Sequence, residues 1–283
     1  MKVCEDTDHG VVYVNLLKLT KRMIKGLEKC QTTYYENLQI EKEGIVASIN
    51  GFKNGRYNTL SRIGYGAVGD YHFYCTEDIE GTCQYYYKGG LCTLLLWDIA
   101  LGRTNLSITL KNPPTLTHSF WAISNLSFTL FPEVLKGYFE RVTPLNGQEF
   151  PHEVMYALSN TCKYYVLDDV ASAKDWLEIT HQRTKKSTTK DIVGYITVIE
   201  GMLTNQISLI NEGIALIIKA YRRKEVDPIR DVVCLEATGL AKFALDRGFE
   251  IDTSHPLIYK GFLEPIEFER EDIWEIKQAL GIE

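Results

Sequence analysis

The chain lacks most of the features that name a chemistry at sight. No uninterrupted apolar run is long enough for a membrane span. The longest uncharged stretch, Asn112–Pro132, holds three prolines, His118 and many Ser, Thr and Asn residues, so it does not read as a transmembrane helix. The opening MKVCEDTDHG carries acids where a secretory signal needs a basic and then an apolar run. Seven cysteines, at 4, 30, 75, 83, 92, 162 and 234, are odd in number and scattered, which fits reduced, buried thiols better than a disulfide framework. The expectation is a cytoplasmic protein. The sequence also lacks H-E-x-x-H, G-x-S-x-G, a Walker A string and an EF-hand loop. It lacks the basic excess of a nucleic-acid binder, since 31 Lys and Arg stand against 37 Asp and Glu.

Three partial motifs dissolve on inspection. Gly64-Tyr-Gly66-Ala-Val-Gly69 matches G-x-G-x-x-G, but a dinucleotide site needs an apolar strand before it and an acid about 20 residues on. Polar Gly55–Arg62 precedes the string and Gln84–Leu91 offers no acid, so a coincidence that packs two helices closely is the favoured reading. Cys75, Cys83 and Cys92 are too widely spaced for zinc pairs. Glu250-Ile-Asp252 lacks further ligands at suitable spacing, and His255 before Pro256 reads as turn support. No cofactor, no metal and no catalytic residue is assigned.

What is present is a soluble-protein composition, 45% apolar and 24% charged, with helical periodicity along much of its length. Ile192, Ile196, Ile199 and Leu203 form one stripe after the capping string Thr188–Asp191, and Ile207, Ile210, Ile214, Ile217 and Ile218 form the next. Arg222, Arg223 and Lys224 close that second helix, where cations oppose the dipole. Asp227-Pro228 opens a helix whose buried face holds Ile229, Val233, Leu240, Phe243 and Ala244, with Ala237 and Gly239 for close contact and Gly248 as its stop. A last helix is expected over about Glu269–Leu280. Upstream, helices are expected at Val11–Lys29, Thr115–Phe128, from Pro132, from Pro151 and over Val170–Thr180, while 60–74 and 79–101 admit helix or strand. Leu106–Leu110 alternates like a strand, and Phe249–Ile251 reads as extended. The expected fold class is mostly α: stacked antiparallel helical hairpins with one or two short extended segments. It would form a single helical domain over 1–283, or two lobes, 1–184 and 189–283.

Charge is the most localised feature. Residues 1–245 balance to zero, whereas 246–283 hold four Lys and Arg against ten Asp and Glu. The whole excess therefore sits at the end of the chain. It is either a solvated acidic surface or a face for a basic partner. The candidate contacts are Glu264, Glu267, Glu269, Glu271 and Asp272, with Asp168 and Asp169 as a second acidic group that could equally serve a helix dipole. Tyr86, within Tyr85-Tyr86-Tyr87, and Trp274 are the candidate aromatic anchors. Three adjacent tyrosines cannot share one helix face, so one at least should reach the surface.

Two stretches resemble the immunity protein 49 family of bacterial polymorphic toxin systems. The first is Leu240-Ala-Lys-Phe-Ala-Leu-Asp-Arg-Gly-Phe-Glu-Ile251 with His255-Pro-Leu-Ile258 and Gly261-Phe-Leu263, similar to that family's closing helix, extended step and turn. Tyr259-Lys260-Gly261 departs from it, standing where a proline is often found. The second runs from Thr93–Gly102 through 106–110 to Trp121-Ala-x-x-x-Leu126. The resemblance covers about residues 80–265. It implies an α-helical cytoplasmic protein that neutralises a cognate toxin by stoichiometric binding, without catalysis or cofactor. Many such toxins are nucleases with basic surfaces, which an acidic face would suit; neither nucleic acid nor membrane is an expected partner. The alternatives are a helical adaptor or regulator that binds a peptide or protein, and an enzyme with a dispersed site.

Overall fold

Helical periodicity becomes helical structure throughout the described part of the chain. The computed structural model describes residues 65–76, 78–106, 110, 113–145, 149–184, 192–223 and 233–282. No strand occurs among the described residues, so the mostly-α class holds. The expected helix at Val11–Lys29, the capping string at 188–191, Asp227-Pro228 and most of 106–110 lie outside them. The described residues fall into two compact units. The first takes 65–113, 233 and 264–282; the second takes 114–223 and 234–263. Helices on both sides of 184–189, where the sequence reading placed its division, belong to the second unit.

In the first unit, α1 (Tyr65–Tyr71) passes into a π-helical turn (His72–Thr76), then α2 (Ile79–Ala100), and α10 (Trp274–Leu280) completes the unit. Asp78 starts α2 by accepting the Gly81 amide at 2.9 Å. Helix α2 buries residues on most of its faces, as expected of a helix packed on several sides rather than lying on a surface. Gly69, the last glycine of the G-x-G-x-x-G string, serves packing, while Gly64 lies outside the described residues. A Cβ on Gly69 would sit 2.6 Å from the Tyr86 ring, so only glycine lets α1 approach α2 this closely. The core joins Tyr65, Cys92, Leu95, Leu96 and Ile99 to Ile273 and Ile276 of the C-terminal segment. Cys83 and Cys92 are buried here, as are Cys162 and Cys234 in the second unit.

The second unit opens with a 3-10 stretch (Leu116–Ser124), then α3 (Leu126–Thr129) and α4 (Pro132–Arg141), which proline starts as expected. It continues through α5 (Val154–Val166), α6 (Val170–Thr184), α7 (Val193–Leu203), α8 (Ile207–Arg223) and α9 (Leu235–Asp246), closing with a 3-10 turn (Lys260–Phe262). The first stretch keeps the expected apolar spacing, with Leu116, Phe120, Ile123 and Leu126 buried, but not the α-helical winding. Its start is held from a distance: the Glu149 carboxylate accepts the Leu116 and Thr117 amides at 2.6 and 2.9 Å and the Thr117 hydroxyl at 2.7 Å. Helix α5 begins at Val154, three residues past Pro151.

The pairs α5/α6 and α7/α8 run antiparallel. Thr161 meets Thr180 through a buried hydroxyl contact of 3.2 Å, and Arg183 donates back to the Pro151 carbonyl. Gly194 faces Ile217 while Gly201 faces Ile210, which fixes the opposite sense of α7 and α8. Asn205, at φ 55°, makes the turn between them, and the Gln206 amide reaches the Gly201 carbonyl at 2.7 Å. Helix α9 begins at Leu235, with Val233 buried but outside it. Gly239 lies against the Ser124 backbone, where a Cβ would strike the carbonyl. Gly248, at φ 84°, ends α9 as the sequence indicated. Phe249–Ser254 is coil, without strand pairing.

Candidate protein-binding surface in the C-terminal acidic segment

Of seven residues of the expected acidic face and its aromatic anchors, four stand exposed on the surface, two are exposed but held in ion pairs, and Tyr86 is buried. Glu264, Glu267 and Glu269 are exposed on the non-helical run before α10. Trp274 opens α10 with 59% of its surface exposed, the most exposed of the large apolar side chains found so. The run is anchored by Phe268, whose ring meets Tyr87 of α2 at 5.8 Å with the Arg270 guanidinium 5.9 Å from its face. Anchoring from beneath leaves the flanking acids in solvent.

Glu271 and Asp272, expected to share that face, are occupied. Glu271 lies 2.8 Å from the Lys88 ammonium, and Glu275 lies 3.6 Å from the same nitrogen. Lys88 is only 7% exposed on its side chain and stands between the Tyr65 and Tyr85 rings, 5.9 and 6.0 Å from their centroids. A buried ammonium is tolerable only with anionic partners. The Lys88 ammonium therefore holds the Glu271 carboxyl below its ordinary range. Burial pushes Asp272 upward, but its bonds from the Lys277 ammonium and the Ile273 amide prevail and hold it below the usual carboxylate range. The Ile273 amide donates to Asp272 at 2.7 Å, and Lys277 binds its other oxygen at 2.6 Å. The last helix starts at Trp274 rather than at about Glu269, and Glu271 and Asp272, expected in its first turn, stand ahead of it in bonds to Lys88, the Ile273 amide and Lys277.

Tyr86 is not part of an exposed surface. It is 4% exposed and its hydroxyl donates to Asp70 at 2.6 Å. Its register faces it toward α1, where Gly69 makes room, while the neighbouring Tyr85 and Tyr87 are half-buried. Asp168 and Asp169 stand in the second unit, on the α5–α6 turn. Asp169 accepts the Ser172 amide and hydroxyl at the start of α6, bonds that lower its pKa. Asp168, at φ 62°, lies 3.4 Å from Arg247, whose guanidinium stacks 4.4 Å above the Tyr165 ring. This pair of acids serves the turn and the helix start.

Lys88 is the residue that sequence reasoning passed over. The signal was present: it is the single charge between Glu80 and Asp98 of α2, and Glu271 and Glu275 sit four apart. Among the described residues, no group of three or more His, Cys, Asp and Glu side chains is arranged to hold a metal ion, and no helix is long and apolar enough to cross a membrane. His255 supports its turn as expected, accepting the Leu257 amide on Nδ1 at 3.1 Å. Comparison with protein-family models, with curated proteins and with solved structures finds no match for the chain.

Proposed function

We propose that the chain is an immunity protein that neutralises a cognate bacterial toxin by stoichiometric binding, and that the run from Glu264 to Trp274 is its contact surface. The observation that carries this reading is Trp274, exposed beside three exposed carboxylates on a segment whose other acids are held in ion pairs. A large aromatic side chain left in water costs free energy alone and returns it when a partner covers it. Acids around such an anchor raise the encounter rate with a basic partner and select its charge. The toxin suited to this surface presents a basic patch with an apolar recess, as a nuclease domain does. The resemblance of residues 240–263 and 93–126 to the immunity protein 49 family supports the same reading.

The test is co-expression with the product of the neighbouring gene. Growth rescue by the wild-type chain and recovery of a one-to-one complex support the reading. Toxicity unaffected by this chain removes it.

A further inference from the structure

The second unit holds a niche that the toxin reading does not use. Ala215, Ile218, Lys219 and Arg222 recur at spacings of three and four along α8 and therefore share one face. With His255, on the turn after α9, they line a cavity of about 300 Å³. Its apolar floor comes from Ala215 and Ile218, and the Lys219 and Arg222 stems extend it. Its polar side chains are Lys219, Arg222 and His255. Because His255 Nδ1 accepts the Leu257 amide, the neutral ring carries its proton on Nε2. All three polar side chains are thus donors, and among the described residues no acceptor side chain joins them.

We propose that this niche binds a small organic carboxylate with a short aliphatic body. Two cations and a neutral N–H donor call for an anionic acceptor. The apolar floor calls for a hydrocarbon body, and the volume stands at the small end of ligand pockets. Cations near a helix C-terminus also complement its dipole, which explains why Lys219 and Arg222 occur there. The dipole does not explain His255 facing them from another element. Burial and the nearby Arg222 charge lower the His255 pKa, with Asp252 acting in the opposite sense. Asp252 is exposed and its carboxylate accepts the Ser254 amide; Lys260 is the other charge nearby. A bound carboxylate therefore raises the His255 titration midpoint.

The test follows the His255 ring by NMR in the full chain during titration with sodium butyrate, with butylammonium chloride and inorganic phosphate as parallel arms at matched ionic strength. The expected result is saturation by butyrate with a Kd on the order of 1 mM, an upward shift of the His255 midpoint, and no response to butylammonium. Arg222→Gln should weaken butyrate binding about tenfold or more, and Lys219→Gln less, with helix content unchanged because both side chains are exposed. Failure to saturate, an equal response to butylammonium, tighter binding of phosphate than of butyrate, or unchanged binding by Arg222→Gln would each overturn the proposal. The niche stands in a different unit from the Trp274 surface, so the two proposals fail separately.

Discussion

Residues 264–269 and 271–277 are neighbours in sequence and equally acidic in character, yet they do opposite things. In the first stretch, Glu264, Glu267 and Glu269 face water and Phe268 anchors the backbone between them. In the second, Glu271 and Glu275 neutralise Lys88, and Asp272 closes on its own amide and on Lys277. Three of the six acids of residues 264–277 are thus engaged, two of them in holding the segment to α2. A count of acids overstates the charge left to a partner: one buried cation takes up Glu271 and Glu275, and Lys277 takes up Asp272.

The largest effect should come from breaking the inward half. Glu271→Gln with Glu275→Gln leaves the Lys88 ammonium buried without an anion, which should cost about 3 kcal/mol of stability in denaturant unfolding. Lys88→Met should cost less, about 1–2 kcal/mol, because the two carboxylates it abandons are partly exposed and regain water. If the two variants are equally damaging, the asymmetry argued for Lys88 is wrong.

Next in size is Trp274→Ala. Truncating an aromatic anchor should weaken toxin binding by about 2 kcal/mol, measured by calorimetry. Unfolding should change by less than about 0.5 kcal/mol, since the ring is mostly in solvent. A large stability loss with unchanged binding would place Trp274 with the inward group.

The pH dependence sharpens the same division. The folded-state pKa of Glu271 lies below its unfolded value, so its contribution is fully present above the unfolded carboxylate range, about 4.3. It is lost as pH falls through the lower, folded value. Asp272 behaves in the same sense. Melting temperature should therefore fall from about pH 4 downward, and Glu271→Gln should flatten that fall.

Much of this architecture was legible from spacing alone. The isoleucine stripes of α7 and α8, Pro132 at the start of α4 and Gly248 at the end of α9 are local signals read by local rules. What was not legible depended on distant partners. The 3-10 stretch from Leu116 has apolar spacing that suits either helix type, and its capping group, Glu149, lies beyond α4. Tyr86 could not be told from Tyr85 or Tyr87 without knowing that α1 approaches through Gly69. Trp274, named from the sequence, is exposed, whereas the engagement of Glu271 required knowing where Lys88 lies.

The smallest effect expected on the fold, and the most direct test of the outward half, is the charge reversal Glu264→Lys/Glu267→Lys/Glu269→Lys. Its stability should stay within about 0.5 kcal/mol of the parent. The deciding measurement is the association rate of this variant with the neighbouring gene's product, the proposed toxin, across a salt series. The account predicts a rate reduced tenfold or more at low salt, converging on the parent rate as salt rises. Identical rates and identical salt slopes for variant and parent would contradict it.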